Sequence, residues 1–166
     1  MSAKPINVLF LCTHNSARSI LAEATLTHIG GGRFQGFSAG SSPRENQQPN
    51  PIGLQTLRNA GISTEGLRSK SWDEFALPDA PHMDLIITVC DNAAGEVCPF
   101  WPGKPATAHW GYADPSAGDG TDAEKAAAFQ LTLHAIRRRL DLLVNLPDEK
   151  LDAMVLQRTA KELAAE

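Results

Sequence analysis

The sequence predicts an α/β fold built on a parallel sheet, and three features carry that expectation. Short apolar runs end in clusters of small polar residues, and segments with helical periodicity follow them. Residues 6–19, Ile-Asn-Val-Leu-Phe-Leu-Cys-Thr-His-Asn-Ser-Ala-Arg-Ser, show the pattern most plainly: strand, loop, helix. The run 84–89, Asp-Leu-Ile-Ile-Thr-Val, is apolar without alternation, as a strand buried on both faces requires. Strands alternating with helices call for a doubly wound sheet with right-handed crossovers. In such sheets the working residues lie beyond the carboxyl ends of the strands.

Each element has its own local reason. The first strand is 6–11, rich in β-branched and aromatic residues. A helix over 16–29 follows, with Ile20, Leu21, Ala24, Leu26 and Ile29 near the 3.6 period, and Gly30, Gly31 and Gly32 stop it. Residues 33–39 alternate and read as a short strand, and 40–51 is turn chemistry dominated by Pro, Ser and Asn. A second helix spans 52–60 and ends at Gly61, and 62–82 is loop with one helical turn at 72–76. The strand 84–89 leads to Cys90, and a loop over 91–105 contains Cys98. A fourth strand, 106–110, runs into Gly-Tyr-Ala-Asp-Pro-Ser. Thr121 to Glu124 has the spacing of a capping box, and the helix behind it carries a stripe of Phe129, Leu133, Ile136, Leu140 and Leu143. Pro147 and Asp148 break the chain before a last helix over 148–164.

Bulk properties narrow the function. At 166 residues the chain is expected to be one domain, 1–166, with a single good core. A net charge of −4 argues against nucleic acid as a partner, and Arg137-Arg138-Arg139 points in several directions around a helix. Nothing resembles a signal peptide or a membrane span, so the expected location is the cytoplasm, with no membrane partner. Three cysteines in a reducing compartment suggest thiols that do chemistry, or buried bystanders, rather than a structural disulfide framework.

The chemistry centres on the first loop. Cys12 and Arg18 bracket it, with five residues between them. A loop that enters a helix points backbone N–H groups into its concavity, and the helix dipole adds partial positive charge. Arg18 adds a planar fork suited to a tetrahedral oxyanion. A cation in the first turn opposes the dipole, so its position needs another reason, such as a bound anion. Such surroundings favour the thiolate form of a cysteine. Thr13, His14, Asn15, Ser16, Ala17, Arg18 and Ser19 therefore read as an oxyanion cradle over a nucleophile. Cys90 and Asp114 also follow carboxyl ends of expected strands. On composition alone Cys90 also suits a core cysteine, Cys98 a bystander, Asp114 a turn residue and His109 a structural side chain.

Cys-Thr-His-Asn-Ser-Ala-Arg-Ser near the N-terminus, with Asp114-Pro115 far downstream, resembles the low-molecular-weight protein tyrosine phosphatase fold. Cys90 and Cys98 flanking Asp-Asn-Ala-Ala-Gly-Glu-Val, with His-Trp-Gly-Tyr-Ala-Asp-Pro, resemble the thioredoxin-coupled arsenate reductases on that fold. The resemblance covers residues 6 to about 145. It implies a three-layer sandwich with a four-stranded parallel sheet, and 148–164 becomes an extra C-terminal helix. The loop position held by His14 is often glycine in the wider fold.

The resemblance also implies a mechanism. The loop amides and Arg18 bind arsenate, with phosphate or sulfate as mimics. Cys12 attacks arsenic, Ser16 and Ser19 stabilise its thiolate, and Asn15 braces the loop through its backbone. Asp114 is the general acid, with Pro115 restricting its reach. Cys90 then attacks the sulfur of Cys12. If the strands ending at Leu11 and Val89 are parallel neighbours, they lie about 4.8 Å apart, within reach of a disulfide. Cys98 resolves Cys90, the segment 90–98 rearranges, and thioredoxin or a similar dithiol protein supplies the reducing equivalents; no cofactor is bound. Some members of the family hold a monovalent cation, which maps onto Asn15, Glu23 and Ser38; no other metal is implied. One alternative is a phosphatase using Cys12, Arg18, Asp114 and water. Another is a non-enzymatic sensor in which Cys12 and Cys90 oxidise, against which the intact acid loop argues.

Overall fold

The computed structural model describes residues 5–89, 106–116, 120–146, 160–161 and 163–164. Cys90, the expected loop 91–105 with Cys98, and most of the expected helix 148–164 lie outside the described residues. The elements in chain order are β1 (Ile6–Cys12), α1 (Arg18–Ile29), β2 (Phe34–Gly40), α2 (Pro51–Asn59), a 3-10 turn (Trp72–Ala76), β3 (Leu85–Thr88), β4 (Ala106–His109) and α3 (Asp122–Val144). The four strands form one parallel sheet in the order β2-β1-β3-β4. This is the expected α/β class, and it places β1 inside the sheet, paired on both sides.

Alternation along β1 divides the core in two. Val8, Phe10 and Cys12 face the layer made by the helices, together with Leu21, Leu26, Phe129 and Ile136. Leu9 and Leu11 face the opposite layer, where Ala39, Met83 and Ile86 are covered by Phe37, Trp72 and Phe75. Val8 through Leu11 are fully buried. Each such side chain contributes about 1.5–3 kcal/mol by leaving water, which anchors β1 firmly on both faces. α1 and α3 pack on each other, and α2 lies against both. Gly36 permits the close approach of α1 to β2: a Cβ there would sit 2.5 Å from the Glu23 carbonyl oxygen.

The ends of several elements differ from the sequence expectation, each for a local reason. β1 runs through Cys12 because Gly40 of β2 pairs with it. α1 begins at Arg18 rather than residue 16, because Asn15 takes a left-handed conformation (φ 56°) and Ala17 is not helical. α2 begins one residue early, at Pro51, which suits the first helical position; the Asn50 side chain caps it by accepting from Ile52 and Gly53 N–H. β3 and β4 are shorter than 84–89 and 106–110. Their flanks still follow the sheet: Val89 N–H donates to Leu11 O at 2.9 Å and Trp110 N–H to Thr88 O at 2.7 Å.

α3 starts with the expected capping box. Thr121 Oγ1 accepts from Glu124 N–H, and the Glu124 carboxylate accepts from Thr121 N–H. Its far end is closed by a residue outside the helix. The Arg33 guanidinium donates to Val144 O at 2.9 Å and to Leu146 O at 2.7 Å, giving carbonyls at the helix end a charged partner. Residues 160, 161, 163 and 164 are helical, and Ala160 and Leu163 join the core on the helix side of the sheet. Trp110 Nε1–H donates to Ala160 O at 2.8 Å, fastening that segment to the chain just beyond β4.

Candidate active site

At the carboxyl end of β1 a cleft of about 130 Å³ opens. Cys12, Arg18 and Asp114 line it with His14, Ser16 and Ala17 of the loop, and with Arg44, Gln47 and Ser116. Of the expected catalytic residues the structure brings Cys12, Arg18 and Asp114 to one place; Cys90 and Cys98 lie outside the described residues. The loop is held from below by continuation of the β1–β2 pairing. Ser41 N–H donates to Cys12 O and Ser42 N–H to Thr13 O, at 3.1 and 2.8 Å. Gly40 is the residue that lets β2 pass so close. A Cβ there would lie 2.7 Å from Thr13 O and 2.9 Å from the His14 carbonyl carbon.

Cys12 is buried, 4% exposed, and its sulfur has two polar neighbours. Asn15 N–H donates to Sγ at 3.2 Å, and Ser19 Oγ lies 3.0 Å away. The left-handed backbone of Asn15 aims that N–H back at the sulfur. Asn is among the few side chains that tolerate this conformation. The Asn15 side chain is fully engaged: Nδ2 donates to Ser19 Oγ (2.8 Å) and Ser38 Oγ (3.0 Å), and Oδ1 accepts from Lys70 N–H (2.9 Å). Asn15 thus braces the loop against α1, β2 and the segment around residue 70, rather than through the loop's own backbone.

Behind Asn15 the network continues to a buried charge pair. Ser38 Oγ–H donates to Glu23 Oε1, and the Lys70 ammonium lies 3.7 Å from the same oxygen. Burial pushes the Glu23 carboxyl above its usual value, against the opposing pull of Lys70 and Ser38. Burial pushes the Lys70 ammonium down, and Glu23 opposes that. Asn15, Glu23 and Ser38, the three residues mapped to a monovalent cation, therefore meet around a lysine that the sequence reading did not include.

Arg18 is buried at the start of α1, where the N-cap residue, Ala17, has no side-chain acceptor to offer the helix. Its Nη1–H donates to Tyr112 O at 2.9 Å, which ties the guanidinium to the acid loop. Asp114 Oδ1 accepts from Ser116 N–H (2.9 Å) and Ser116 Oγ–H (2.7 Å), a turn closed across Pro115 that fixes the carboxyl at the cleft wall. His14 leans outward and donates Nδ1–H to Ser42 O at 2.9 Å. Ser16 lines the cleft, while its carbonyl accepts from Asn50 N–H. His109 sits on the β3–β4 ladder, with Nδ1 2.7 Å from Thr88 Oγ1, in a structural position.

Arg44, Gln47, Ser116 and Lys70 are the residues that sequence reasoning missed. Arg44 and Gln47 come from the Pro- and Asn-rich turn after β2, which carries no periodicity; only the path of that loop over the cleft gives them a role. Ser116 had a usable signal, because an Asx turn after Asp-Pro favours a donor two residues on.

The family model for low molecular weight phosphotyrosine protein phosphatases matches residues 7–159. An arsenate reductase of Bacillus licheniformis is 38% identical over 141 residues, covering 84% of this chain and 94% of that protein. The crystal structure of an arsenate reductase from Archaeoglobus fulgidus superposes with a TM-score of 0.67 at 27% identity, over 84% of this chain and 99% of that one. A Corynebacterium glutamicum thioredoxin-dependent arsenate reductase gives 0.54 at 27% identity, over 85% of this chain and 65% of that one. The sheet order, the Cys12–Arg18 loop and these likenesses agree: the chain belongs to the low molecular weight phosphotyrosine protein phosphatase family, in its arsenate reductase branch.

Proposed function

We propose that the protein reduces arsenate to arsenite by a relay through Cys12, Cys90 and Cys98, with a dithiol protein of the thioredoxin type as reductant. One observation carries the proposal: a buried Cys12 thiol, hydrogen-bonded at its sulfur, shares a small cleft with Arg18 and Asp114. Its strand lies beside β3, which ends at Thr88, two residues before a second cysteine in the sequence. Leu11 pairs with Thr88, Val89 N–H donates to Leu11 O, and Cys90 is the next residue in the sequence. A hydrolase of this fold has no use for Cys90 or Cys98. Likeness to an enzyme described as thioredoxin-dependent supports the choice of donor.

Arsenate binds to the loop amides and Arg18. The Cys12 thiolate attacks arsenic(V), and one oxygen leaves as water with the proton supplied by Asp114. The Cys90 thiolate attacks Cys12 Sγ; the S–As bond breaks and its electron pair stays on arsenic, which departs as arsenite. Cys98 then displaces Cys12 from the Cys12–Cys90 disulfide. The reductant's two thiols take over the Cys90–Cys98 disulfide, so two electrons cross in each turnover.

The test is NADPH oxidation coupled through thioredoxin and thioredoxin reductase, with arsenate, for the wild type and Cys98→Ser. Arsenate-dependent turnover that disappears in Cys98→Ser is the expected result. Steady hydrolysis of an aryl phosphate with no arsenate-dependent turnover would replace the relay with phosphate monoester hydrolysis through Cys12, Arg18 and Asp114.

A further inference from the structure

We infer that the Lys70 ammonium is the resident cation of the Asn15–Ser38–Glu23 cluster, so that Lys70 positions the nucleophile loop and no alkali metal ion does. The fit can be judged from the donors themselves. A monovalent cation beside Glu23 needs oxygen atoms free to turn towards it. Asn15 Oδ1 accepts from the Lys70 N–H, and the Ser38 proton points at Glu23 Oε1. Near that same carboxylate oxygen lies the Lys70 ammonium, at 3.7 Å, with a second partner in Arg68 O at 2.8 Å. The Lys70 and Glu23 side chains are only 9% and 17% exposed.

The cluster is therefore neutral as built, with one carboxylate and one ammonium. A metal ion of the same charge would add an uncompensated positive charge next to the ammonium, where water screens poorly. The residues present do not fit a resident alkali ion.

Lys70 is placed to act on the nucleophile, although it does not touch the cleft. Its backbone N–H orients Asn15, whose amide holds Ser19 and whose own N–H meets the Cys12 sulfur. Its ammonium neutralises Glu23, which receives the Ser38 hydroxyl that in turn accepts from Asn15. Both ends of one residue thus converge on Asn15. A backbone segment with a tethered charge cannot dissociate, so the loop keeps its geometry whatever salt surrounds it.

The experiment compares wild type and Lys70→Ala in KCl and in choline chloride at matched ionic strength. It reads thermal midpoints and the Kd for inorganic phosphate, which keeps it separate from whether arsenate is reduced. The wild type should show the same midpoint and the same Kd in both salts. Lys70→Ala should bind phosphate roughly tenfold more weakly in choline chloride, because a misplaced loop loses contacts made by several groups at once. KCl should recover part of that loss and raise the midpoint of the variant, as an ion takes the vacated place against Glu23. A wild type whose midpoint or Kd improves in KCl over choline chloride would overturn the inference, as would Lys70→Ala with wild-type affinity in choline chloride. If Lys70→Ala folds in neither salt, the wild-type comparison decides alone.

Discussion

Ser19 Oγ accepts from Asn15 Nδ2 and lies 3.0 Å from the Cys12 sulfur. Once Cys12 is a thiolate it has no proton to give, and the Ser19 hydroxyl is then the donor of that contact. Hydrogen bonds to charged groups contribute about 1.5–3 kcal/mol, so Ser19→Ala should lower kcat roughly tenfold or more while leaving phosphate affinity nearly unchanged. Steady-state kinetics alongside a phosphate titration separate the two effects. Tyr112, the single tyrosine of the chain, supports a second test. Burial raises its phenol above the ordinary value, and the Arg139 guanidinium, 5.0 Å from the ring centroid, opposes the shift. A raised folded-state value means stability that is fully present below the ordinary pKa of about 10 and is lost as pH rises through the folded value. A spectroscopic titration should show little phenolate at pH 10 and its appearance only above that. The legibility of single residues in the sequence follows distance along the chain. Cys12, Asn15, Ser19 and Arg18 lie within one strand–loop–helix unit, where spacing alone implies proximity. Lys70 and Arg44 reach the same site only because loops without periodicity are laid over it.

Between elements, contacts are decided where one backbone nearly touches another. A methyl group on Gly36 would drive α1 away from β2, because its Cβ would lie 2.5 Å from backbone. Gly36→Ala should therefore destabilise the fold by about 1–3 kcal/mol, read as a lower urea midpoint with an unchanged slope. Arg33 ties the start of β2 to the end of α3 through two carbonyls. Arg33→Ala should cost about 1–3 kcal/mol and speed amide exchange in the last turn of α3, with little effect on phosphate binding. The start of α3 was legible because a capping box is a local pattern. Its closure by Arg33 was not, since the partner lies more than a hundred residues away. Strand ends misread for a related reason: hydropathy marks burial, and residues such as Val89 and Trp110 stay buried after the ladder has stopped.

On the scale of the whole molecule, the sheet order follows from which strands must be buried, and the α/β class was readable from alternation alone. What alternation does not encode is how the C-terminal segment attaches. Trp110 is fully buried and holds Ala160 through its indole N–H, four residues before Asp114 in the sequence. Trp110→Phe should remove that hydrogen bond, lower stability by about 1–3 kcal/mol and raise amide exchange around residue 160. Activity should fall with it, because the acid loop begins from the same strand end.

The interior position of β1 also has a consequence for synthesis. During synthesis β1 cannot finish its pairing until β3 appears, more than seventy residues behind Cys12. At roughly 5–20 residues per second that interval lasts on the order of four to fifteen seconds. During it the nascent chain carries an unshielded thiol that the finished protein keeps almost wholly covered. A short pulse of alkylating reagent during translation should modify Cys12 far more readily than the same pulse after release.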